Sequence, residues 1–462
     1  MRSLCMVLCL CLTFDSFAAD RPNIVFMLSD DQGWSGTSVL MHPDIPGSQG
    51  DIFHTPNLEK LAAQGMRFSA AYSPASVCSP TRISLQTGKS PAALHWTKAA
   101  PPEAGHQLWE PRLVKSIAAS ETTIGELLQK AGYATAHYGK WHIAGGGPGP
   151  HGYDEHDGDT GNENAFQFKD PNPVDIFGMA ERAEKFMAKN SKAGKPFFIQ
   201  LSWNALHASE NANRATLAKY EKLLAGQNAR RITMAAITED LDSGVGRVME
   251  SIDRLGLSDN TYVIYMSDNG SGGGRQVLNG GKGGVWEGGI RVPLIVRGPG
   301  VQANSWCQTR VVGYDFFPTF CEWAGISAKT LPKGIEGGSL ASLLTHEGKG
   351  EVKRLREELV FHFPHYQSDA PHSAIIVGDL KLMKFYEDDS IVLFDLSKDI
   401  GERNDLAPSR PADAKRLRLQ LEQYLNEVDA MLPTTNPDYD PNRPVTPPRR
   451  PGGPGMKRPR PK

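Results

Sequence analysis

An excess of basic residues is missing from this 462-residue chain: Lys+Arg 50 against Asp+Glu 52 leaves a formal net charge of -2. It therefore lacks the overall positive field with which a dedicated nucleic-acid binder engages phosphates, and any anion selectivity must be local. Long apolar runs are also missing. The stretch over residues 4–14 falls well short of the roughly 20 residues that span a bilayer, and no later stretch reaches that length. Cysteine is scarce, with six in all and no Cys/His cluster at zinc-binding spacing. With 39% hydrophobic and 22% charged residues, the main body is expected to be soluble and globular.

What is present begins with a leader. Met1-Arg2, the apolar run and the small residues Ser16 and Ala18 predict a signal peptide over residues 1–18, hence export to a periplasmic or extracellular space. Cys5, Cys9 and Cys11 leave with it, so the mature chain keeps Cys78, Cys307 and Cys321. Cys307 and Cys321 are open to either a bridge or two buried thiols. Cys78 is left as the odd thiol, a candidate for chemistry rather than framework.

Asn23-Ile24-Val25-Phe26-Met27-Leu28 is a continuous apolar run ending at Ser29-Asp30-Asp31, the pattern of a buried central strand with acids at its carboxyl end. The pattern recurs over residues 196–202, ahead of His207, and over residues 261–267, ahead of Asp268-Asn269-Gly270. Helical spacing appears over residues 123–132 and 237–255, each ending near a glycine. Strands alternating with helices predict an α/β fold with a large, mixed, mostly parallel β-sheet flanked by helices, and ligands bind at the carboxyl edge of such sheets. A charged linker near residue 346 separates this larger unit, residues 19–345, from a smaller α+β subdomain, residues 346–432. The latter is expected to have strands over 374–377, 380–385 and 391–395 and a helix over 412–428. Residues 433–462, rich in Pro, Arg and Gly, read as a disordered tail.

Ser76-Val77-Cys78-Ser79-Pro80-Thr81-Arg82 holds a Cys-x-Pro-x-Arg pattern. Proline just inside a helix start puts Cys78 where backbone N–H groups attract anions, with Arg82 one turn along. Asp30, Asp31, Asp268 and Asn269 form an all-oxygen set suited to a hard cation, with calcium first and magnesium second. Tyr138-Gly139-Lys140-Trp141-His142 places Lys140 and His142 on one side if extended. Gly281-Lys282-Gly283-Gly284-Val285-Trp286-Glu287-Gly288-Gly289 is a loop whose glycines let backbone approach closely. His151 and His156 are either entrance-lining or solvated loop histidines.

Together these segments, with Leu85-Gln86-Thr87-Gly88-Lys89 beside the first and Leu393-Phe394-Asp395-Leu396 near the end, resemble the formylglycine-dependent, type I, arylsulfatase-like sulfatases of the alkaline phosphatase superfamily. Lys89 stands where that family often has Arg. The resemblance implies an alkaline-phosphatase-like fold and hydrolysis of sulfate esters, with a sulfated poly- or oligosaccharide as the expected substrate. It implies that a formylglycine-generating or other maturating enzyme oxidises Cys78 to formylglycine (3-oxoalanine), whose hydrate attacks sulfur. It further implies that the modified side chain joins Asp30, Asp31, Asp268 and Asn269 at the metal. Arg82, Lys140 and Lys282 would stabilise the sulfuryl charge, His142 would assist at the hydrate, and His207 would protonate the leaving alcohol. A phosphonate or phosphodiester hydrolase is the rival enzyme. A catalytically silent glycan binder is the non-enzymatic alternative, disfavoured because every expected position is filled.

Overall fold

The computed structural model describes residues 21–207, 211–271, 277–443 and 445; the expected leader, residues 1–18, and most of residues 433–462 lie outside the described residues. Asn23–Ser29 is buried at every position, as a strand covered by helices on both faces must be. Val25 and Met27 pack with the helices Ile176–Lys192 and Ala229–Arg254. Ile24, Phe26 and Leu28 point the other way, into a cluster with Ile83, Leu85, Phe316 and Phe320. One strand thus serves two cores, and its period of two divides them.

The eight-stranded sheet runs in the order Ser305–Cys307, Met66–Phe68, Leu294–Arg297, Thr261–Ser267, Asn23–Ser29, Phe197–Ser202, Ala134–Gly139, Glu155–His156. Only Leu294–Arg297 runs antiparallel to its neighbours, which matches the mixed, mostly parallel expectation. In the register Ser29 lies beside Ser267, Leu28 beside Ser202, and Ser202 beside Gly139. These central strands therefore end level, and the residues immediately beyond their carboxyl ends are delivered to one edge.

The predicted helix after residue 123 forms as Ile124–Lys130, started by a capping box in which Thr123 and Glu126 satisfy each other's backbone N–H groups. The long helix starts at Ala229, earlier than the expected residue 237, because the Asn228 side chain caps it by accepting from the Arg231 N–H.

The smaller unit is a four-stranded antiparallel sheet with the helix Pro411–Glu427. The expected three strands are there, and Leu359–Phe363 precedes them as a fourth. Val360, Ile375, Leu382 and Leu393 pack on Leu417 and Leu421 of the helix. Their sequence neighbours Phe361, Ile376, Met383 and Phe394 pack on Tyr72, Val285, Ile290 and Tyr314 of the larger unit. Alternation therefore welds the two units into one body.

Two expectations change, and one open alternative is resolved. The chain does not leave the body at residue 433, since Thr434–Thr435 pairs with Leu108–Trp109 and Asn436 bonds to Gln107 and His106. Cys307 and Cys321 are free, buried thiols, not a bridge. His151 is neither solvated nor entrance-lining: it is buried, stacked on Trp141 and bonded to the Gly145 carbonyl. Among the described residues no helix is long and apolar enough to cross a membrane.

Candidate active site

The level strand ends bring together residues far apart in sequence. Asp30 and Asp31 follow Ser29, Asp268 and Asn269 follow Ser267, and Lys140 follows Gly139. Asp30, Asp31 and Asp268 lie with one carboxylate oxygen each within 4.8 Å of one another, and so do Asp30, the Cys78 thiol and a His207 ring nitrogen. The Asp31 N–H donates to Asp268 Oδ1 at 3.1 Å, and Asn269 Nδ2 donates to Asp31 Oδ1 at 2.8 Å.

Cys78 is the first residue of the helix Cys78–Thr87, every residue of which is buried. One turn along, Arg82 turns back toward the acids: Nε and Nη2 donate to Asp268 Oδ2 at 3.1 and 2.7 Å, and Nη1 donates to the Lys140 carbonyl at 2.6 Å. Lys140 Nζ donates to Asp30 Oδ2 at 2.5 Å. Lys282 Nζ donates to both oxygens of Asp31, at 2.5 and 2.7 Å. All three expected cationic donors converge on the acid cluster, each paired with a different carboxylate.

His142 is reached differently from the sequence expectation. The strand ends at Gly139, and His142 sits at φ 60, so Lys140 and His142 are not on one side of an extended segment. Thr160 holds this turn: its hydroxyl donates to the Gly139 carbonyl at 2.5 Å and accepts from the Trp141 N–H at 3.0 Å, and its carbonyl accepts from the His142 N–H at 2.8 Å. Gly139 has to be glycine here, with φ at 88 and a Cβ position 2.2 Å from the Ser202 carbonyl oxygen. His142 Nδ1 lies 3.2 Å from the Ser79 hydroxyl. Ser79 and Thr160 were not singled out in the sequence; Ser79 at least sits inside the Cys78 pattern, whereas nothing local marks Thr160.

Burial pushes the Asp30 carboxyl up, but Lys140, His207 and Arg82 outweigh it and hold the group well below the usual range. Asp268 is pushed up to about 6 by burial and the neighbouring Asp30 charge. Burial would lower Lys282, yet Cys78, Asp31 and Asp30 hold its ammonium well above its ordinary value. Burial and nearby cations bring His142 down to about 2; burial, against the pull of Asp30, brings His207 down to about 4. Both imidazoles are therefore neutral near pH 7.

Two features fit this cluster to a divalent cation. Asp30 Oδ1 and Asn269 Oδ1 are buried without a hydrogen-bond partner, a costly state unless something else meets them. The donors are all oxygen, from three acids and an amide, as a hard cation prefers. His207 Nδ1 is likewise buried and unpartnered.

Residues 22–326 match the family model described as Sulfatase, and residues 281–431 match that described as N-sulphoglucosamine sulphohydrolase, C-terminal. A curated sulfatase of Formosa agariphila is 28% identical over 86% of this chain and 86% of its own length. Human arylsulfatase A is 26% identical over 90% of this chain and 89% of its own. Rat N-acetylgalactosamine-6-sulfatase is 31% identical over 67% and 63%. Among solved structures, Ps i-CgsB in complex with k-i-k-neocarrahexaose superposes with a TM-score of 0.73 at 24% identity, covering 91% of this chain and 94% of that one. BT4656 in complex with its substrate D-glucosamine-2-N,6-O-disulfate gives 0.68 at 21%, covering 88% and 98%. With acids, a helix-start cysteine and three cations converging at one sheet edge, and a family match over most of its length, the chain belongs to the type I sulfatases of the alkaline phosphatase superfamily and is a sulfuric ester hydrolase.

Proposed function

We propose that the enzyme hydrolyses sulfate esters on a sulfated poly- or oligosaccharide, using formylglycine made from Cys78 by a maturating enzyme and a calcium ion held by Asp30, Asp31, Asp268, Asn269 and the modified side chain. The observation that carries this reading is the meeting of Cys78, Asp30 and His207 within 4.8 Å. Relatives that act on sulfated sugars support the substrate class: N-acetylgalactosamine-6-sulfatase by its name, and BT4656 with its disulfated glucosamine substrate.

Once formed, the hydrate of the modified Cys78 would supply one hydroxyl to displace the alcohol from sulfur and a second to expel the sulfate as the aldehyde re-forms, and calcium would draw charge from the sulfuryl oxygens. The remaining work falls to the protein's own side chains. Lys282, at the rim of the site, takes a sulfate oxygen, and Lys140 and Arg82 add positive charge from the buried side. An anionic ester among these groups raises the pKa of His207, which then delivers a proton to the departing alkoxide oxygen. His142, neutral and oriented by Ser79, accepts a proton from the residue-78 hydroxyl. Residues 1–18 would direct export to the periplasm or medium, where such glycans are met.

The test is a panel of sulfated polysaccharides, sulfated oligosaccharides and an aryl sulfate, with a phosphonate ester alongside. Sulfate release from one or more sulfated sugars supports the reading. Phosphonate turnover with no sulfate release would replace it with the rival hydrolase.

A further inference from the structure

The loop that presents Lys282 is fastened, almost residue by residue, to the C-terminal subdomain. The Lys282 carbonyl accepts from the Ser368 hydroxyl at 2.5 Å. The Val285 N–H donates to His372 Nε2 at 2.9 Å, and Trp286 Nε1 donates to Asp369 Oδ2 at 3.1 Å. The Glu287 N–H donates to Glu402 Oε2 at 2.7 Å.

Glu287 is the hub beneath this loop. Its carboxylate is fully buried and accepts from Lys381 Nζ at 2.9 Å, Arg291 Nε at 2.7 Å and the Tyr72 hydroxyl at 3.0 Å. Lys381, also fully buried, forms an ion pair on its other side with Glu402 Oε1, at an N···O distance of 2.7 Å. Lys381 lies on the strand Leu380–Phe385 and Glu402 on the loop beyond the next strand, so both come from the subdomain and neither touches the acid cluster. The hub also reaches the metal-site edge. The Gly270 N–H, next to Asn269, donates to the Gly289 carbonyl at 2.9 Å, and a Cβ on Gly270 would lie 2.0 Å from the Gly288 carbonyl oxygen.

Resting on the sulfate-ester reading above, we infer that Lys381 and Glu402 are positioning residues for sulfate binding: through Glu287 they fix the Lys282 loop, so that the C-terminal subdomain sets the affinity for the sulfuryl group. An ammonium on a flexible stem recognises an oxyanion only if its backbone is fixed, because a displacement of about 1 Å at the site costs orders of magnitude in a reaction that depends on placement. Buried ion networks of this kind add little net stability, which leaves geometry as what the network confers.

The test measures inorganic sulfate binding by calorimetry, together with KM and kcat for an aryl sulfate, in K381M, E402A, E402Q and S368A. Leaving the buried Glu287 N–H or carboxylate short of a partner in E402A or K381M is expected to weaken sulfate binding and raise KM about tenfold, with a smaller change in kcat. E402Q keeps an acceptor for the Glu287 N–H and is expected to restore binding to within about threefold of wild type. S368A removes only an exposed hydroxyl, so it folds whatever the others do, and it is expected to weaken sulfate binding by about threefold. Sulfate affinity unchanged in S368A and in folded E402A overturns the positioning role while leaving the sulfatase reading intact. A wild type that neither binds nor releases sulfate overturns both.

Discussion

The ammonium of Lys282 spans 251 positions of sequence to rest on both carboxylate oxygens of Asp31, at 2.5 and 2.7 Å. On the proposed reading Asp31 would serve both the cation set and a sulfate-binding lysine, which would couple metal binding to the shape of the pocket. Removing the divalent cation with a chelator should abolish activity and lower the melting temperature, with calcium restoring both. A cation at a hundred times its Kd would contribute about 2.7 kcal/mol. Thermal shift with and without EDTA is the check, and an unchanged melting temperature would count against the metal.

Arg82 and Asp268 are both buried, and two guanidinium nitrogens donate to the same Asp268 oxygen. Arg82→Ala leaves that carboxylate without its partner, at a cost of about 3–5 kcal/mol in urea unfolding. Arg82→Lys should recover part of the stability but not the fork, because an ammonium cannot reproduce the planar donor pair.

His207→Gln should lower kcat by a factor on the order of 10² to 10⁴, the usual range for loss of a general acid. The loss should be greatest with sugar sulfates, whose alkoxide needs the proton, and least with nitrophenyl sulfate, whose leaving group departs without one. Equal losses on both substrates would assign His207 to binding instead.

Burial lowers the pKa of His137, where the nearby Arg82 charge adds to it, and of His362, from 6.5 to about 3. The folded protein therefore binds fewer protons than the unfolded chain between pH 6.5 and 3. Their contribution is fully present above pH 6.5 and is lost as pH falls through that window, approaching about 1.4 kcal/mol per pH unit for each. Urea midpoints at pH 7, 6 and 5 should show the decline, and H137Q/H362Q should flatten it.

The central strands, the placement of Cys78 at a helix start and the acids at the sheet edge were legible in the sequence because each leaves a local signal. An apolar run ends in Asp-Asp, and a proline stands two residues after a cysteine. The features that were not legible are held by contacts between remote segments. The strand Leu359–Phe363 carries a buried His362 whose ring meets Ser373 and the Met431 carbonyl, and an imidazole in that pattern gives no sign of being buried. Nothing local in the sequence pairs Lys381 or Glu402 with Glu287; only the fold brings the three together. Thr160 lies beyond Lys140 in a glycine-rich loop, and only the turn at His142 shows why a hydroxyl is needed there.

The most direct measurement is sulfate release, monitored by ion chromatography, from a sulfated oligosaccharide by the wild-type enzyme and by Cys78→Ala. The account predicts turnover by the wild type and none above background by the variant, because it assigns the attacking oxygen to the modified residue 78. Sulfate release by Cys78→Ala at the wild-type rate would contradict it.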